Sequence, residues 1–338
     1  SQEEFMKNHT EVDFYVPIDG ETGFTNIVTK YLELSSKEKI KKKIFNIPIE
    51  GCLSQNESGK LQYNNPGIRI KDLDEVPSPY LSGILDEFFD GKLSPMIQSN
   101  RGCPFSCTFC TDGSDLVKQV NKFSIDRVKN ELEYIAKKVP KNIHSMTISD
   151  LNFGMYPRDL EICQTISDCQ KKYEYPNIIQ ASTGKNQKEK IINAIKSLNG
   201  ALRLSMSVQS MDQEVLENIR RSNISVDQML ALAPAIEEEK LGTTAEVILG
   251  LPGETYKSHI QTLRDLVKNN LNYVRPYTLM LLHGSEMNTP EQREKWQFKT
   301  KFRILPKDFV KLSDGKKIIE TEEVVISTST LNFEEYID

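Results

Sequence analysis

The segment RGCPFSCTFC, residues 101–110, places three cysteines within eight positions, at Cys103, Cys107 and Cys110. The spacing C-x3-C-x2-C gathers thiolates on one short loop, as an iron–sulfur cluster requires. Three protein ligands leave one iron of a four-iron cluster open, and an open iron can chelate an amine and a carboxylate. Structural zinc usually takes four closed ligands, and no further Cys or His follows within thirty residues of Cys110. A zinc site and a simple electron-transfer cluster remain the alternatives.

The cysteine loop lies at the start of a regular alternation of strands and helices. Apolar strand patterns cover residues 96–99, 145–148, 178–181, 202–208, 244–249 and 277–282. Amphipathic helical patterns cover residues 125–139, 158–171, 188–198, 213–219, 226–238 and 256–269. Such alternation predicts a parallel sheet with helical crossovers, and six strands fall short of a full eight-unit barrel. We therefore predict an α/β fold, a partial TIM-like barrel whose ligands lie at the carboxyl ends of its strands.

The cysteine spacing, placed just after the first strand of a βα series, resembles the radical S-adenosylmethionine (SAM) superfamily. The resemblance implies a [4Fe-4S] cluster on Cys103, Cys107 and Cys110, with SAM bound at the open iron. It also implies reductive cleavage of SAM to a 5′-deoxyadenosyl radical, with electrons from a donor such as flavodoxin or ferredoxin. Phe109 is expected near the adenine, with plain packing as the alternative.

The same resemblance supplies candidates for the amino-acid and ribose parts of SAM. After the second strand, Asp150 or Asn152 is expected to receive the methionine ammonium, where many members have Gly-Gly-Glu. In the fourth strand, Ser207 and Gln209 are candidates for the ribose hydroxyls. Arg221 is the candidate for the methionine carboxylate, because a guanidinium matches a carboxylate at two points. Helix capping and an ordinary surface arginine are the alternatives.

The fifth strand, AEVILGLPGET at residues 245–255, resembles the adenine segment of the superfamily. It lacks the first glycine of that segment, and its glutamate is displaced by one position. Ile248 is expected to contact adenine, and Gly250 allows the backbone to approach closely. His283, after the sixth strand, is expected to be a partly buried side chain rather than a substrate ligand.

Other segments resemble the branch of the superfamily that is associated with a cobalamin-binding domain. They are residues 1–35, the segment Leu73–Tyr80, the Asp-x-Asn-Phe stretch at 150–153 and residues 299–336. This resemblance implies cobalamin as a further cofactor and methyl transfer to an unactivated carbon or phosphorus of a small molecule or peptide. The alternatives are a radical SAM enzyme that rearranges or oxidises its substrate, and a non-catalytic iron–sulfur or zinc module.

The domain organisation that we expect has four parts. Residues 1–50 resemble the end of a cobalamin-binding Rossmann domain, most of which is absent from this chain. Residues 51–92, rich in Gly, Asn, Ser and Pro, are expected to form a linker. The radical SAM core is expected over 93–298, followed by a C-terminal extension over 299–338.

The composition limits the partners of the chain. Of its 338 residues 27% are charged, and the net charge of −5 comes from interspersed acids and bases, so we expect no nucleic-acid partner. No apolar run approaches the ~18 residues of a membrane helix, and the N-terminus carries no signal-peptide core. We therefore expect a cytoplasmic protein without a membrane partner. In a reducing cytosol, crowded cysteines indicate metal ligands, whereas Cys52, Cys163 and Cys169 are expected to be ordinary thiols.

Overall fold

The computed structural model describes residues 2–10, 12–35, 44–56, 58–64, 69–184, 188–222, 242–269 and 271–338. Within it the chain forms two compact units, Ser1–Val76 and Pro77–Asp338. The helix predicted over residues 226–238 lies outside the described residues. None of the described helices is long and apolar enough to cross a membrane.

The first unit contains a three-stranded antiparallel sheet. Its elements are helix α1 (Gln2–Asn8), strand β1 (Phe14–Tyr15), helix α2 (Gly20–Ser35), strand β2 (Cys52–Gln55) and strand β3 (Leu61–Asn64). β2 lies between the other two strands. The expected linker therefore differs from the structure over 52–64, because its polar residues close a hairpin. There the Asn56 side chain accepts hydrogen bonds from the amides of Ser58 and Lys60.

The second unit is built on six parallel strands. They are β4 (Met96–Ile97), β7 (Ser145–Phe153), β8 (Ile178–Thr183), β9 (Leu204–Gln209), β10 (Thr243–Leu249) and β11 (Tyr273–Thr278). Parallel pairing runs β4-β7-β8 and β9-β10-β11, and a parallel bridge between Ile179 and Leu202 links the two halves. A short antiparallel pair, β5 (Asn100–Arg101) and β6 (Asn121–Lys122), flanks the cysteine loop. The predicted α/β class with six parallel strands is confirmed.

Helices connect these strands as the periodicity predicts. They are α3 (Ile125–Lys138), α4 (Asp159–Tyr173), α5 (Lys188–Lys196), α6 (Gln213–Asn218) and α7 (Tyr256–Lys268). α3 illustrates the cause. Ser124 caps its first turn by accepting a hydrogen bond from the Arg127 amide, and Val128, Leu132 and Ile135 bury one face.

The sixth strand begins and ends four residues earlier than predicted, at Tyr273–Thr278 rather than 277–282. Leu279 and Leu281 of the apolar run that suggested the later position are buried, but the backbone of this run pairs elsewhere. Leu281 donates to the carbonyl of Glu323, and Val325 donates to the carbonyl of Leu279. The run therefore packs against the C-terminal segment, whereas the true strand is mostly exposed and carries no apolar signal.

The C-terminal segment forms a long antiparallel hairpin. After helix α8 (Pro290–Lys295), strand β12 (Lys299–Lys311) pairs with strand β13 (Lys317–Ser327), and helix α9 (Phe333–Ile337) follows. Phe302 and Ile304 on this hairpin are 71% and 52% exposed. This exposed part of the hairpin therefore shows no apolar period, whereas Val324 and Val325 near the end of β13 are buried.

Candidate active site

The cysteine loop, residues 102–113, is fixed by backbone hydrogen bonds to separate parts of the second unit. The amide of Cys103 donates to the carbonyl of Val117 over 3.0 Å. Thr108 donates to the carbonyl of Ile219 over 3.2 Å and accepts from the amide of Met287 over 2.9 Å. Cys103 and Cys107 are buried, whereas Cys110 is partly exposed. The loop thus presents its thiols in a fixed frame.

Two glycines allow this loop to close. Gly102 has a φ of 113°, and a Cβ there would lie 2.4 Å from the carbonyl oxygen of Gln119. At Gly113 a Cβ would lie 2.2 Å from the carbonyl oxygen of Cys107. Real Cβ atoms do not approach a backbone oxygen so closely, so both positions require glycine.

Replacing Gly113 by alanine is expected to displace the cysteine loop, because the new methyl group meets the backbone of Cys107. We expect the iron bound per chain to fall at least about twofold, and the free energy of unfolding by about 1–3 kcal/mol. Iron analysis after anaerobic reconstitution and urea unfolding measure the two effects. Gly20→Ala is the matched control, because a Cβ at Gly20 meets nothing within 4 Å. Equal iron content in the two variants would contradict the prediction.

Asn152 lies at the end of β7 against the cysteine loop. Its Nδ2 is 3.4 Å from Cys103 Sγ, and the side chain is 1% exposed. Its Oδ1 is buried and has no hydrogen-bond partner among the described residues. A buried carbonyl oxygen without a donor is costly, so such an atom beside the loop suits a ligand that brings its own donor. The ammonium group of SAM is a donor of that kind.

Asp150 occupies a different position from the one expected of an ammonium ligand. Its carboxylate accepts hydrogen bonds from the amide and hydroxyl of Ser99 and from the amide and side chain of Asn100. Burial raises the pKa of this carboxyl, and these hydrogen bonds oppose the rise. With both oxygens engaged, Asp150 ties β7 to the residues that lead into the cysteine loop. Of the two candidates for the ammonium, the contacts favour Asn152.

Asp159 begins α4 in the same region and is fully buried. Its Oδ2 accepts from the amides of Gly154 and Tyr156, over 2.9 and 3.0 Å, whereas no described residue forms a hydrogen bond with Oδ1. Burial raises the pKa of Asp159 from 3.8 to about 6. The folded protein therefore holds this proton more tightly than the unfolded chain does.

The substitution Asp159→Asn is expected to stabilise the protein at pH 7. Because its pKa is raised, the contribution of Asp159 to the stability of the wild type is fully present below about pH 4 and is lost as the pH rises through about 6. Asparagine keeps both accepted hydrogen bonds, because one oxygen makes both, and it removes the buried charge. We expect a gain of up to about 3 kcal/mol at pH 7 and a flatter profile between about pH 4 and 6. Urea unfolding at two pH values tests this, with the exposed Asp168→Asn on the same helix as control; a less stable Asp159→Asn at pH 7 would refute it.

Arg221 lies directly beneath the cysteine loop. It is 7% exposed, its Nη1 is 3.7 Å from Cys107 Sγ, and its Nη2 donates to the carbonyl of Ser207. Burial lowers the pKa of this guanidinium, and the neighbouring cysteines raise it. Arg220 instead points to the surface, where both of its terminal nitrogens bond the Glu286 carboxylate over 2.9 and 2.6 Å. The structure thus separates two adjacent arginines into a buried one and an exposed one.

The ribose candidates lie on β9, and they bring a residue that the sequence analysis missed. The Ser207 hydroxyl donates to Glu246 Oε2 over 2.8 Å, and the two residues are register partners of β9 and β10. Gln209 is buried with a φ of 65°, where the register between the strands shifts. The alternation of apolar and polar residues over 245–247 could have indicated Glu246. Ala245 and Val247 are fully buried on one face of the sheet, and Glu246 between them faces the opposite side.

The adenine candidates meet on one hydrophobic cluster. Phe109 and Ile248 both pack against the buried group Val215, Leu216, Ile219, Leu251, Leu279, Leu281, Met287 and Val325. Gly250 has a φ of 89°, and its amide donates to Glu254 Oε2 over 2.9 Å. Glu254 is fully buried, with Oε1 3.0 Å from His259 Nδ1. This pair holds the turn after β10 in place.

The three cysteines match the ligand set of a four-iron cluster. Over the described part of the chain, no three His, Cys, Asp or Glu side chains converge as ligands of one metal ion. In a four-iron cluster each cysteine binds its own iron, so the three sulfurs need not converge on a point. A buried guanidinium and an unpartnered amide oxygen lie next to two of the cysteines, as an amino-acid ligand of the open iron requires.

Comparisons with known proteins match these features. Residues 97–266 fit the family model of the Radical SAM superfamily. The cobalamin-dependent radical SAM methyltransferase TokK of Streptomyces tokunonensis is 30% identical over 282 residues, which covers 80% of this chain and 40% of that protein. The 2-(S-pantetheinyl)-carbapenam-3-carboxylate methyltransferase of Streptantibioticus cattleyicolor is 28% identical, covering 99% of this chain and 49% of its own length. The chain thus spans about half the length of the curated relatives it matches.

Solved structures share the fold. The radical SAM methyltransferase TsrM from Kitasatospora setae, with tryptophan and a SAM analogue, superposes with a TM-score of 0.64 at 14% identity, covering 89% of this chain and 58% of that one. The cobalamin-dependent radical enzyme OxsB, with aqua-cobalamin and SAM, gives 0.57 at 18% identity, covering 87% and 42%. The family match over 97–266 takes in half of the 338 residues and all three loop cysteines. The chain belongs to the radical SAM superfamily.

Proposed function

We propose that the protein cleaves SAM reductively at a [4Fe-4S] cluster and transfers a methyl group to its substrate with cobalamin as the carrier. The observation that carries the first part is the pair of polar side chains at the cysteine loop. Arg221 lies against Cys107, and Asn152 lies against Cys103. They suit the carboxylate and the ammonium of one amino acid bound between them.

The superfamily uses a [4Fe-4S] cluster and SAM, and Cys103, Cys107 and Cys110 are the residues that would hold the cluster. When bound, the reduced cluster supplies the electron that breaks the C5′–S bond of SAM. The protein contributes binding and orientation. Arg221 is preorganised by the Ser207 carbonyl, and in its buried position a charge-assisted hydrogen bond to a carboxylate is stronger than in water.

The nucleoside end of SAM is assigned to the strand ends of the second half-sheet. Ser207, Gln209 and the newly found Glu246 offer hydroxyl, amide and carboxylate groups for the ribose. Phe109, Ile248 and the backbone at Gly250 offer apolar contact and close approach for the adenine. Contacts to both the ribose and the adenine would fix the orientation of the C5′ carbon of SAM. Fixing the orientation of a reacting atom is how positioning increases a reaction rate.

The methyl transfer and the cobalamin dependence rest on similarity. Two relatives that match most of this chain are named methyltransferases, and one of them is named cobalamin-dependent. On that basis we propose an unactivated carbon or phosphorus of a small molecule or peptide as the methyl acceptor. We propose flavodoxin or ferredoxin as the electron donor.

The test is an anaerobic assay of the reconstituted protein with cobalamin, dithionite, 2-(S-pantetheinyl)-carbapenam-3-carboxylate as the methyl acceptor, and SAM that carries a deuterated methyl group. We expect 5′-deoxyadenosine and S-adenosylhomocysteine, with the labelled methyl group in the product. A protein with a full cluster that forms neither would contradict the proposal and favour a non-catalytic module. 5′-Deoxyadenosine without methyl transfer would favour the rearranging or oxidising alternative.

A further inference from the structure

Strand β11 presents a row of three polar side chains to the same side as the candidate active site. Tyr273, Arg275 and Tyr277 are the register partners of Thr244, Glu246 and Ile248 on β10. Partners on adjacent parallel strands face the same side of a sheet. Glu246 is bonded to Ser207, whose carbonyl accepts from Arg221. The opposite face of β10 is fully buried at Ala245 and Val247.

The two tyrosines hold Arg275 in a defined position. Its guanidinium carbon lies 5.5 Å from the ring centre of Tyr273 and 5.9 Å from that of Tyr277. Its Nη1 donates to the Tyr277 hydroxyl over 3.0 Å. Stacking on two rings limits the rotamers of a long side chain, so less conformational entropy is lost when it binds a ligand.

The positive charge of Arg275 is not matched by a protein carboxylate. Its contacts are with Tyr273 and Tyr277, and no described Asp or Glu forms an ion pair with it. The nearest carboxylate in register, Glu246, is hydrogen-bonded to Ser207. A guanidinium has five N–H donors, of which the Tyr277 hydroxyl takes one. Tyr273 is a second hydrogen-bond partner of this side chain, and the remaining N–H donors are left for a ligand on this face.

We propose that Arg275, held between Tyr273 and Tyr277, binds a carboxylate of the methyl-acceptor substrate, an inference that rests on the proposed function. The planar fork of arginine matches a carboxylate at two points. Arg275 is the register partner of Glu246, a ribose candidate, so an acceptor bound to Arg275 would lie on the same side of the sheet as the ribose candidates.

The charges favour a carboxylate over a phosphate. Glu246 lies at the same level on the neighbouring strand, and its negative charge repels a phosphate dianion more than a carboxylate monoanion. The row offers one cation, Arg275. A carboxylate acceptor also agrees with the name of one relative, which acts on a carbapenam-3-carboxylate.

The experiment measures binding without turnover. The full chain, loaded with its cluster and S-adenosylhomocysteine, is titrated by calorimetry with 2-(S-pantetheinyl)-carbapenam-3-carboxylate and with its methyl ester. We expect the wild type to bind the acid at least about tenfold more tightly than the ester. Arg275→Gln is expected to weaken binding of the acid about 10- to 50-fold and to leave the ester unchanged. The affinity of Arg275→Lys for the acid should lie between those of the wild type and Arg275→Gln, because lysine keeps the positive charge and lacks the planar, two-point guanidinium.

Two further variants complete the design. Tyr277→Phe keeps the ring and removes the hydroxyl that accepts from Arg275, so we expect acid binding about two- to fivefold weaker. Arg264→Gln, an exposed arginine on α7, should bind both compounds as the wild type does. Circular dichroism verifies that all the variants are folded.

Several results would overturn the inference. One is a wild type that does not prefer the acid, and another is an Arg275→Gln protein that keeps the preference. A third is tighter, Arg275-dependent binding of phosphopantetheine, which would assign the site to phosphate. If the wild type forms 5′-deoxyadenosine while any of these holds, the inference fails and the proposed radical chemistry stands. If the wild type forms none, the proposed function fails whatever the binding shows.

Discussion

Replacing Cys107 by alanine is expected to prevent assembly of the cluster and to reduce 5′-deoxyadenosine formation by a factor of at least about 1,000. Cys107 is 2% exposed and lies at the centre of the cysteine loop, so water cannot easily replace its thiolate. Its sulfur also faces the guanidinium of Arg221, which stabilises negative charge there. Without this ligand, two cysteines would remain for the cluster, and Arg221 would lose its contact with Cys107 Sγ.

The measurements are iron and sulfide per chain after anaerobic reconstitution, and 5′-deoxyadenosine formed from SAM under dithionite. The control is Cys163→Ala, another buried cysteine, on α4. Cys163 lies outside the cysteine loop, and burial raises the pKa of its thiol to about 12, which keeps the thiol protonated at neutral pH. We expect this control to bind iron as the wild type does, at a stability cost of about 1 kcal/mol. A full cluster in Cys107→Ala would show that this residue is not a ligand.

The parts of the structure that the sequence predicted are those specified by local signals. The spacing of the cysteines lies within one loop, and the helices show the period of their buried faces. α3, for example, begins after its capping residue Ser124 and ends at Lys138, one residue from the predicted position. The structure places Arg221, the candidate for the methionine carboxylate, beside Cys107.

The parts that could not be predicted depend on partners far away in sequence. In the sequence, nothing near Asp150 indicates that its carboxylate is occupied. Its hydrogen-bond donors are Ser99 and Asn100, about fifty residues earlier in the chain. Strand β11 carries no apolar pattern, because its exposed face holds Tyr273, Arg275 and Tyr277. After it, Leu279 and Leu281 are buried where the backbone pairs with the C-terminal hairpin, a contact that periodicity alone does not reveal. In each case a tertiary contact outweighs the local pattern.

Replacing Arg221 by lysine is expected to weaken SAM binding about 10- to 100-fold and to lower 5′-deoxyadenosine formation to a similar degree at low SAM concentration. The guanidinium of Arg221 donates to the Ser207 carbonyl with Nη2 while Nη1 remains beside Cys107. A lysine ammonium is a single point and cannot hold the carbonyl and a carboxylate in this geometry. Burial also disfavours the charged form of an amine, so the lysine would lose part of its charge in a position where arginine keeps it.

The adjacent residue provides a matched control, because Arg220→Lys makes the same chemical change on the surface. Arg220 is exposed, and its guanidinium bonds the carboxylate of Glu286 rather than a residue of the cysteine loop. We therefore expect the Arg220→Lys variant to bind SAM with the same affinity as the wild type. Equilibrium dialysis with cluster-loaded protein gives the dissociation constants, and the electron paramagnetic resonance spectrum of the reduced cluster reports SAM at the open iron. If Arg221→Lys binds SAM as tightly as Arg220→Lys does, the carboxylate is held elsewhere, and Arg221 serves only to fasten the cysteine loop to β9.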